Sequence, residues 1–299
     1  MKKMLITGGT VFVSRAAATH FADKYDVYVL NRNTRPQCSG VTLIEADRHD
    51  LGDVLKKYHF DVVLDITAYK EADVCSLLSG LGSFDDYILI SSSAVYPETG
   101  HQPFTEESMV APNSFWGKYG VDKIAAERKL LSCVPNAYVL RPPYLYGPGN
   151  NVYREAFVFN CALQGRPFYL PEDGSMKLQF FHVDDLFHFV ELLLKSHPRQ
   201  HVFNVGNREA VTIKEWVTMC YEAVGKSPEF ICVSKDVPQR AYFPFYDYEY
   251  YLNVEKQDAL MPFTKTMQKG LQECYQWYSK NQDKVSKKPL IAYIDQFLA

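Results

Sequence analysis

The sequence predicts an α/β protein, in which a doubly wound parallel sheet is followed by a smaller C-terminal α/β lobe. In the first half of the chain, short β-branched runs alternate with amphipathic stretches. These runs are apolar almost throughout, which is typical of parallel strands covered by helices on both faces. The first run ends in glycines that open a helix. With 299 residues, 47% of them hydrophobic, the chain is long enough for a large core and a second lobe.

The elements of the first half follow from hydrophobic periodicity and from the turn residues between them. We expect strands at Lys3–Thr7, Val27–Asn31, Val41–Glu45, Val62–Asp65, Tyr87–Ser91 and Ala137–Arg141. Helical periodicity predicts helices at Val13–Lys24 and Tyr119–Cys133. This order of strands and helices is the basis for the parallel sheet.

The organisation changes after Pro142 and Pro143, where a glycine-rich turn occupies residues 147–151. We therefore expect a dinucleotide-binding domain over residues 1–150 and a substrate lobe over residues 151–299. The chain is expected to return to the first domain near residues 178–208. In the second half the pattern predicts helices at Arg154–Gln164, Asp184–Lys195 and Lys265–Lys280, a helix after the capping box Thr212–Glu215, and strands at Leu178–His182 and Val202–Val205.

Charge and cysteine usage narrow the class of protein. The net charge is −3 and the sequence pI is about 6.2, so nucleic acid and anionic membranes are not expected partners. The seven cysteines are odd in number and lack CxxC spacing, which predicts free, mostly buried thiols and no metal site. The apolar run after the N-terminal lysines is too short for a signal peptide, and no stretch has the length of a membrane span. We expect a cytoplasmic location.

The turn after the first strand has the pattern of a phosphate-binding loop. Small residues at positions 8, 11 and 14 would let backbone N–H groups and a helix N-terminus approach a pyrophosphate, and the chain has Gly8, Val11 and Ser14 there. Valine at the middle position weakens the pattern. The candidate cofactor contacts in this loop are Gly8, Gly9, Thr10, Phe12 and Val13.

The end of the second strand indicates which dinucleotide the loop would hold. An acidic residue there would bind the ribose 2′-hydroxyl of NAD, but the chain has Asn31 and Arg32, with Arg35 nearby. Guanidinium groups pair with phosphate, which favours NADP over NAD. Asp47 and Arg48 follow the third strand, where a carboxylate can accept a hydrogen bond from the adenine amine.

A serine run and a YxxxK pair form the candidate catalytic set. Tyr119 and Lys123 share one helix face, and an adjacent ammonium favours the phenolate, so we expect the tyrosine pKa to be lowered. Such a tyrosine can act as an acid or base near neutral pH. Ser91–Ser93 lie at the carboxyl end of a parallel strand, where open α/β sheets place their sites. The order of glycine loop, serines and YxxxK makes a chance match improbable.

Five segments together resemble the extended short-chain dehydrogenase/reductases, the NAD-dependent epimerase/dehydratase family. They are Thr7–Ser14, Ser91–Tyr96, Tyr119–Lys123, Arg141–Pro148 and His182–Asp185. The resemblance covers nearly the whole chain. It implies a Rossmann domain that binds NAD(P), a C-terminal lobe that binds a nucleotide-sugar-like substrate, and a homodimer formed through the helix that carries Tyr119.

The resemblance also implies roles for individual residues. Tyr119 would be the acid/base, and Lys123 would lower its pKa and bind the nicotinamide ribose. Ser92 would bind the substrate oxygen, with Ser93 as the alternative. Ile66, Thr67, Ala68 and Pro142 would flank the cofactor, and Tyr144 would face the substrate.

A narrower likeness connects the chain with a subgroup that includes chloroplast stem-loop RNA-binding proteins. It rests on residues 8–13, Leu30–Arg32, Asp47–Arg48 and Phe243–Asp247. Those proteins have largely lost YxxxK, which this chain keeps. An NAD(P)-dependent epimerase or reductase is therefore the leading hypothesis. The alternative is an RNA-binding or dinucleotide-sensing protein without turnover.

Two departures from the family pattern narrow the substrate. Sugar dehydratases have an Asp-Glu pair where this chain has Ser93 and Ala94, which disfavours dehydration. Nucleotide-sugar enzymes often have an arginine where this chain has Leu178. Either Arg154 or Arg240 takes over the pyrophosphate, or the substrate is not a typical nucleotide sugar.

Overall fold

The computed structural model describes residues 1–299 and has a seven-stranded sheet as its framework. The sheet order is β11-β6-β5-β4-β1-β2-β3, and every neighbouring pair is parallel. This is the predicted doubly wound α/β architecture. The strands are β1 (Lys3–Thr7), β2 (Asp26–Asn31), β3 (Val41–Glu45), β4 (His59–Asp65), β5 (Ser83–Ile90), β6 (Tyr138–Arg141), β7 (Tyr144–Tyr146), β8 (Phe168–Pro171), β9 (Lys177–Leu178), β10 (Phe180–His182), β11 (Val202–Asn204), β12 (Val211–Thr212) and β13 (Phe230–Val233).

Helices cover both faces of the sheet and build most of the second lobe. They are α1 (Phe12–Phe21), α2 (Glu71–Gly80), α3 (Lys118–Cys133), α4 (Glu155–Leu163), α5 (Val183–Ser196), α6 (Ile213–Val224), α7 (Gln239–Tyr242), α8 (Glu255–Leu260), α9 (Met267–Tyr278) and α10 (Leu290–Phe297). α1 packs against α5, and α2 packs against α3. No helix has both the length and the apolar character needed to cross a membrane.

Three hydrophobic clusters form the core. One includes Phe21 of α1 and Phe187 of α5 on one face of the sheet. A second includes Leu77 of α2 and Leu130 of α3 on the opposite face. The third and largest lies in the C-terminal lobe and is rich in aromatic rings, with Trp216 fully buried. The carboxyl ends of the sheet strands face the junction between these clusters and the aromatic lobe.

Several element boundaries differ from the predicted ones. The predicted strand Leu178–His182 is two strands, β9 and β10, which pair in different two-stranded sheets. Gln179 separates them because its buried amide donates to the carbonyls of Asn207 and Leu252 and accepts from the Leu252 N–H. Helix α1 ends at Phe21, three residues before the predicted end, because residues 22–24 form a turn.

Helix α2 was not predicted from the sequence, although it carries a local start signal. Asp73 in its first turn accepts hydrogen bonds from the backbone N–H groups of Tyr69 and Lys70. This satisfies donors that would otherwise be unpaired at the helix start. All seven cysteines are free as expected, but only Cys161, Cys220 and Cys274 are buried.

Candidate active site

The candidate site lies where the strand order reverses between β1 and β4. Loops that follow strands on either side of such a point run in opposite directions, which opens a crevice at the carboxyl edge of the sheet. Here the crevice lies between the loop after β1, at Gly8 and Gly9, and the loop after β4, at residues 66–68.

The glycine loop has the backbone conformation that its glycines permit. Gly8 and Gly9 both have φ of +93°, a region that side chains rarely adopt. Val11 is extended, with φ of −130° and ψ of 136°, so valine is tolerated where the family pattern has glycine. The positive φ falls instead on Phe12, at 34°. Helix α1 then starts without a side-chain cap, so its first N–H groups are free to bind an anion.

Alanine at Gly9 is expected to weaken dinucleotide binding by at least tenfold. A β-carbon there would lie 2.6 Å from Cγ1 of Val29, and the positive φ adds backbone strain, so the loop must move. Calorimetric titration with NADPH measures the loss. Gly52→Ala is the matched control because Gly52 also has a positive φ, of 49°, but has open space around it. Equal affinity in both variants would contradict the assignment of this loop.

The residues at the end of β2 have two roles: Asn31 supports the glycine loop, and Arg32 and Arg35 are exposed to solvent. The Asn31 amide donates to the Gly8 carbonyl oxygen at 2.6 Å and to the Gln37 side chain, so Asn31 holds the glycine loop in place. Arg32 and Arg35 are exposed. The nearest carboxylate oxygen to Arg32 belongs to Asp47, at 3.9 Å. Both guanidinium groups are therefore available to a ligand at this edge.

Arg48 does not lie at this edge with Asp47, contrary to the expectation that both contact the cofactor. Its guanidinium makes a bidentate ion pair with the fully buried Asp65, at 3.0 and 3.1 Å, and also donates to Thr67 Oγ1. Tyr87 and Thr7 donate their hydroxyls to the same carboxylate. Burial opposes ionisation of Asp65, but Arg48 and these hydroxyls outweigh it and hold the pKa below its usual value. Arg48 thus supports the loop after β4 from behind.

The loop after β4 and Pro142 form the other wall of the crevice. The N–H groups of Ile66 and Thr67 donate to Thr7 Oγ1 at 2.9 and 3.1 Å, which ties this loop to the end of β1. Ala68 is fully buried. The Pro142 carbonyl accepts the Ser93 N–H at 2.9 Å, which joins the ends of β5 and β6. The expected flanking residues therefore follow β4 and β6, the two strands on either side of β5.

Tyr119 and Ser92 meet at the centre of the cleft. The Tyr119 side chain is 37% exposed, near the start of α3. Burial raises its pKa above the ordinary tyrosine value, while the neighbouring Ser92 hydroxyl and the charge of Arg154 lower it. The net direction is upward, contrary to the expected lowering by Lys123. The phenol is therefore protonated at neutral pH and is suited to donate a proton.

Lys123 lies beneath Tyr119 on the same face of α3. Its ammonium nitrogen donates to the carbonyl oxygens of Ala68 at 2.8 Å and Ile90 at 3.0 Å. An ammonium has three donors, so one is left for a ligand in the crevice. The nitrogen lies 5.3 Å from the ring centre of Tyr69 and 6.0 Å from that of Tyr119. Burial lowers the Lys123 pKa to about 8.

Cofactor affinity is expected to fall as the pH rises through about 8, because only the ammonium form of Lys123 can donate a third hydrogen bond. The protonated form dominates below this pKa and is lost above it, so the loss occurs on the alkaline side. A charge-assisted hydrogen bond contributes roughly tenfold or more in affinity. Calorimetric titration of NADPH at several pH values measures the profile.

Lys123→Met should bind NADPH weakly and with a flat profile over the same pH range. Lys118→Met is the control because Lys118 is exposed on the same helix and pairs only with Asp122. An alkaline loss of affinity that persists in Lys123→Met would show that another group controls it.

Sequence reasoning missed a buried ion pair that supports the serine run. Glu127 accepts two bonds from Arg141 Nε, at 3.1 and 3.2 Å, and one from Nη2 at 2.6 Å. Ser91 donates its hydroxyl to the same carboxylate. Glu127 lies four residues after Lys123 on α3, so its spacing on the same helix face was the available signal. The pair fixes the end of β5 directly before Ser92.

The two serine candidates have different surroundings. Ser92 is partly exposed and caps the short 3₁₀ turn Ser93–Val95, with its Oγ accepting the Ala94 N–H at 3.2 Å. Ser93 is 3% exposed, and its hydroxyl acts by hydrogen bonding on the buried phenol of Tyr250. Ser92 is therefore the accessible hydroxyl next to Tyr119.

The candidate substrate residues of the second lobe lie on the opposite side of the cleft. The Arg154 guanidinium carbon is 4.8 Å from the ring centre of the buried Tyr144. The guanidinium carbon of Arg240 is 4.7 Å from the ring centre of Tyr246. Trp116, which precedes α3, connects these rings to the first lobe, with its ring centre 6.3 Å from Tyr119 and 6.0 Å from Tyr144.

Comparison with known proteins finds a family match over part of the chain and curated relatives over most of it. Residues 72–206 match the NAD dependent epimerase/dehydratase family. A curated relative, the chloroplast stem-loop binding protein of 41 kDa b of Arabidopsis thaliana, is 29% identical over 85% of this chain and 73% of its own length. The 2'-dehydrokanamycin reductase of Streptomyces kanamyceticus is 24% identical over 75% of this chain and 67% of its own length. These matches relate the chain to the extended short-chain dehydrogenase/reductases, a group of NAD-dependent epimerases, dehydratases and reductases.

Solved structures with the same fold cover almost the whole chain. A dTDP-glucose 4,6-dehydratase from Bacillus anthracis, in complex with NAD, superposes with a TM-score of 0.77 at 22% identity, over 97% of this chain and all of that one. A UDP-glucuronic acid 4-epimerase from Bacillus cereus, with UDP-glucuronic acid and NAD, gives a TM-score of 0.73 at 20% identity, over 93% and 99% of the two chains. These likenesses show the fold.

Proposed function

We propose that the protein is an NAD(P)-dependent epimerase or reductase that acts on a sugar or nucleotide-sugar-like substrate. The observation that carries the proposal is the meeting of Ser92, Tyr119 and Lys123 beside a glycine loop, at the carboxyl edge of the sheet. The relatives named above are reductases, dehydratases and epimerases or share their family. A nicotinamide cofactor would supply or accept the hydride in this cleft.

The chain's own residues would handle the proton and the orientation of the substrate. Tyr119 would donate its phenolic proton to a carbonyl oxygen during reduction, or accept a hydroxyl proton in the reverse direction. Ser92 would hold the same oxygen by a hydrogen bond. Lys123 would use its remaining N–H to hold a ribose hydroxyl of the cofactor. The aromatic rings of Trp116, Tyr144 and Tyr246 would exclude water from the reacting atoms.

The residues around the crevice fit a dinucleotide. The uncapped start of α1 and the positive-φ glycines offer N–H groups and close backbone approach to a pyrophosphate. Arg32 and Arg35 would lie near the 2′ position of the adenosine ribose, and Asp47 near the adenine. This arrangement favours NADP over NAD.

NADPH is expected to bind more tightly than NADH, by at least tenfold, because Arg32 and Arg35 can pair with the 2′-phosphate. Replacing both with alanine should remove the difference and leave NADH affinity nearly unchanged. Arg208→Ala is a suitable control, since Arg208 is an exposed arginine paired with Asp258 and follows β11, at the opposite edge of the sheet from β3. Fluorescence titration with both cofactors measures the ratio. Equal affinities in the unmodified protein would refute the preference for NADP.

Identification of the ligand that copurifies with the protein distinguishes the two reactions. An epimerase returns its hydride to the substrate and recycles its cofactor, so tightly held NAD(H) would indicate epimerisation. A cofactor that exchanges freely would indicate a reductase. Absorbance and mass spectrometry of the purified protein give the answer, and a panel of sugars and sugar nucleotides then tests turnover.

The identity with a stem-loop binding protein supports a second candidate, an RNA-binding or dinucleotide-sensing role without turnover. Nucleic-acid binding depends on basic surface and weakens steeply with salt. With a net charge of −3 and an intact Ser–Tyr–Lys set, the enzyme remains our first proposal. A gel-shift assay with stem-loop RNA at physiological salt decides between them, and sub-micromolar binding would favour the second.

A further inference from the structure

Two arginines of the second lobe face the cleft without any acidic partner. Arg154 makes no side-chain hydrogen bond and no ion pair within the chain, and it lies over Tyr144 at 4.8 Å and Phe245 at 5.6 Å. Arg240 lies over Tyr246 and donates only to the backbone carbonyls of Phe243 and Pro244. Partly buried guanidinium groups normally pair with carboxylates, so two unpaired ones in one cleft require another source of negative charge.

The rings beneath the two arginines form one continuous aromatic wall that reaches Tyr119. Tyr144 packs against Phe245 with ring centres 4.6 Å apart, and Trp116 packs against Tyr246 at 5.3 Å. Trp116 also lies next to Tyr119, at 6.3 Å. The indole N–H of Trp116 is buried and has no hydrogen-bond partner in the chain. An unsatisfied donor of this kind is costly unless a ligand accepts from it.

The charges around this wall are predominantly positive. Lys288 lies in the segment before α10. Partial burial and the positive charges of Arg240 and Arg154 lower its pKa. Neither Lys288 nor Arg240 forms an ion pair with a carboxylate in the chain, and Arg240 donates only to backbone carbonyls. The carboxyl next in sequence to Arg154 is that of Glu155, which is 4% exposed and accepts a bond from Asn150. Burial raises the Glu155 pKa to about 7, so its negative charge is only partly present at neutral pH.

We propose that Arg154, Arg240 and Lys288 form an anion site for a substrate whose phosphate or carboxylate is carried on the reacting sugar itself. The inference rests on the proposed function, and it adds the charge and size of the substrate. Arg154 and Arg240 would bind the oxyanion, the Trp116 N–H would donate to the same ligand, and Lys288 would close the outer side.

The position of the site favours a compact ligand. Arg154 lies over Tyr144, and Trp116 is next to both Tyr144 and Tyr119, so an anion on Arg154 lies on the same aromatic surface as the reacting phenol. The position that precedes β10 by two residues carries Leu178, which is fully buried and cannot bind a diphosphate. A sugar phosphate or a sugar acid meets both conditions, since its negative charge and its reacting carbon are on one small ring.

Equilibrium binding tests the proposal without any need for turnover. The probes are glucose 1-phosphate, glucuronate, uridine diphosphate and uncharged glucose, titrated calorimetrically into the NADPH-saturated protein. We expect glucose 1-phosphate or glucuronate to bind at least tenfold more tightly than glucose. Arg154→Gln and Arg240→Gln should each weaken that binding about tenfold or more, as loss of a charge-assisted hydrogen bond does. Lys288→Gln should have a smaller effect, since Lys288 is exposed.

The control variant is Lys287→Gln, an exposed lysine next to Lys288, which should bind the probes as the unmodified protein does. If uridine diphosphate binds more tightly than the other probes, and its binding is weakened by the same two arginine variants, the inference of a compact substrate is overturned in favour of a site for a nucleotide. Unchanged binding in both arginine variants would overturn the anion site itself. If the anions bind as expected but no sugar is ever reduced or oxidised, the proposed function fails and the anion site stands.

Discussion

Replacing Tyr119 with phenylalanine is expected to reduce turnover about 10²–10⁴-fold, since a positioned proton donor contributes this much to the rate. The change removes one hydroxyl and keeps the ring, so packing against Trp116 and Tyr69 is retained. Cofactor affinity should be nearly unchanged because it depends on the glycine loop and Lys123. Steady-state turnover with NADPH and a reactive sugar, together with calorimetric NADPH affinity, gives both quantities.

Tyr69→Phe is the matched control for this experiment. Tyr69 is a second phenol next to the same lysine, with its ring centre 6.4 Å from that of Tyr119, and its side chain is 56% exposed. The Ser92 hydroxyl neighbours the Tyr119 phenol. Tyr69→Phe should therefore retain most of the activity. If Tyr69→Phe loses turnover and Tyr119→Phe keeps it, the proton donor has been assigned to the wrong tyrosine.

Glu127→Gln is expected to lower the free energy of unfolding by about 3–5 kcal/mol, which is the usual cost of leaving one charge of a buried pair unpaired. The Arg141 guanidinium would lose its only carboxylate, while its remaining bond to the Tyr96 hydroxyl, at 2.9 Å, carries no negative charge. Urea unfolding measures the change. Because glutamine has one acceptor oxygen where the carboxylate has two, Ser91 and Arg141 compete for it, and turnover of the folded variant should fall as well.

Two comparisons separate the buried pair from an ordinary surface pair. Lys118→Ala breaks the exposed Lys118–Asp122 pair on the same helix and should cost less than about 1 kcal/mol. The double variant Glu127→Leu with Arg141→Met removes both charges and should recover much of the lost stability. If Glu127→Gln costs no more than Lys118→Ala, the pair does not hold the end of β5 in place.

The fold was predictable because its signals are local. Apolar strands, a strand-to-helix glycine turn and the spacing of the YxxxK pair each lie within a few residues of chain. Val11 illustrates the limit of a motif: the backbone adopts an extended conformation at this residue, and Phe12 takes the positive φ. A motif specifies a residue type at a position, whereas the backbone can move the strained conformation to a neighbour.

The parts that could not be predicted depend on contacts between distant residues. Arg48 was expected among the cofactor contacts, but its guanidinium forms an ion pair inside the protein with Asp65, which is 17 residues away in sequence. The β9–β10 break depends on Gln179 and its bonds to Asn207 and Leu252. The direction of the Tyr119 pKa is set by burial in a cleft whose second wall comes from the other lobe. No spacing rule contains this information.

Transfer of deuterium from C4-labelled NADPH tests the central claim most directly. The protein is incubated with the labelled cofactor and a panel of keto sugars with and without a phosphate or carboxylate, and the sugars are then analysed by mass spectrometry. The account predicts deuterium on the former carbonyl carbon of an anionic keto sugar that is reduced, and almost none with Tyr119→Phe. NADPH that binds tightly while no sugar ever gains deuterium would contradict the account, and would leave a dinucleotide-sensing protein in place of the enzyme.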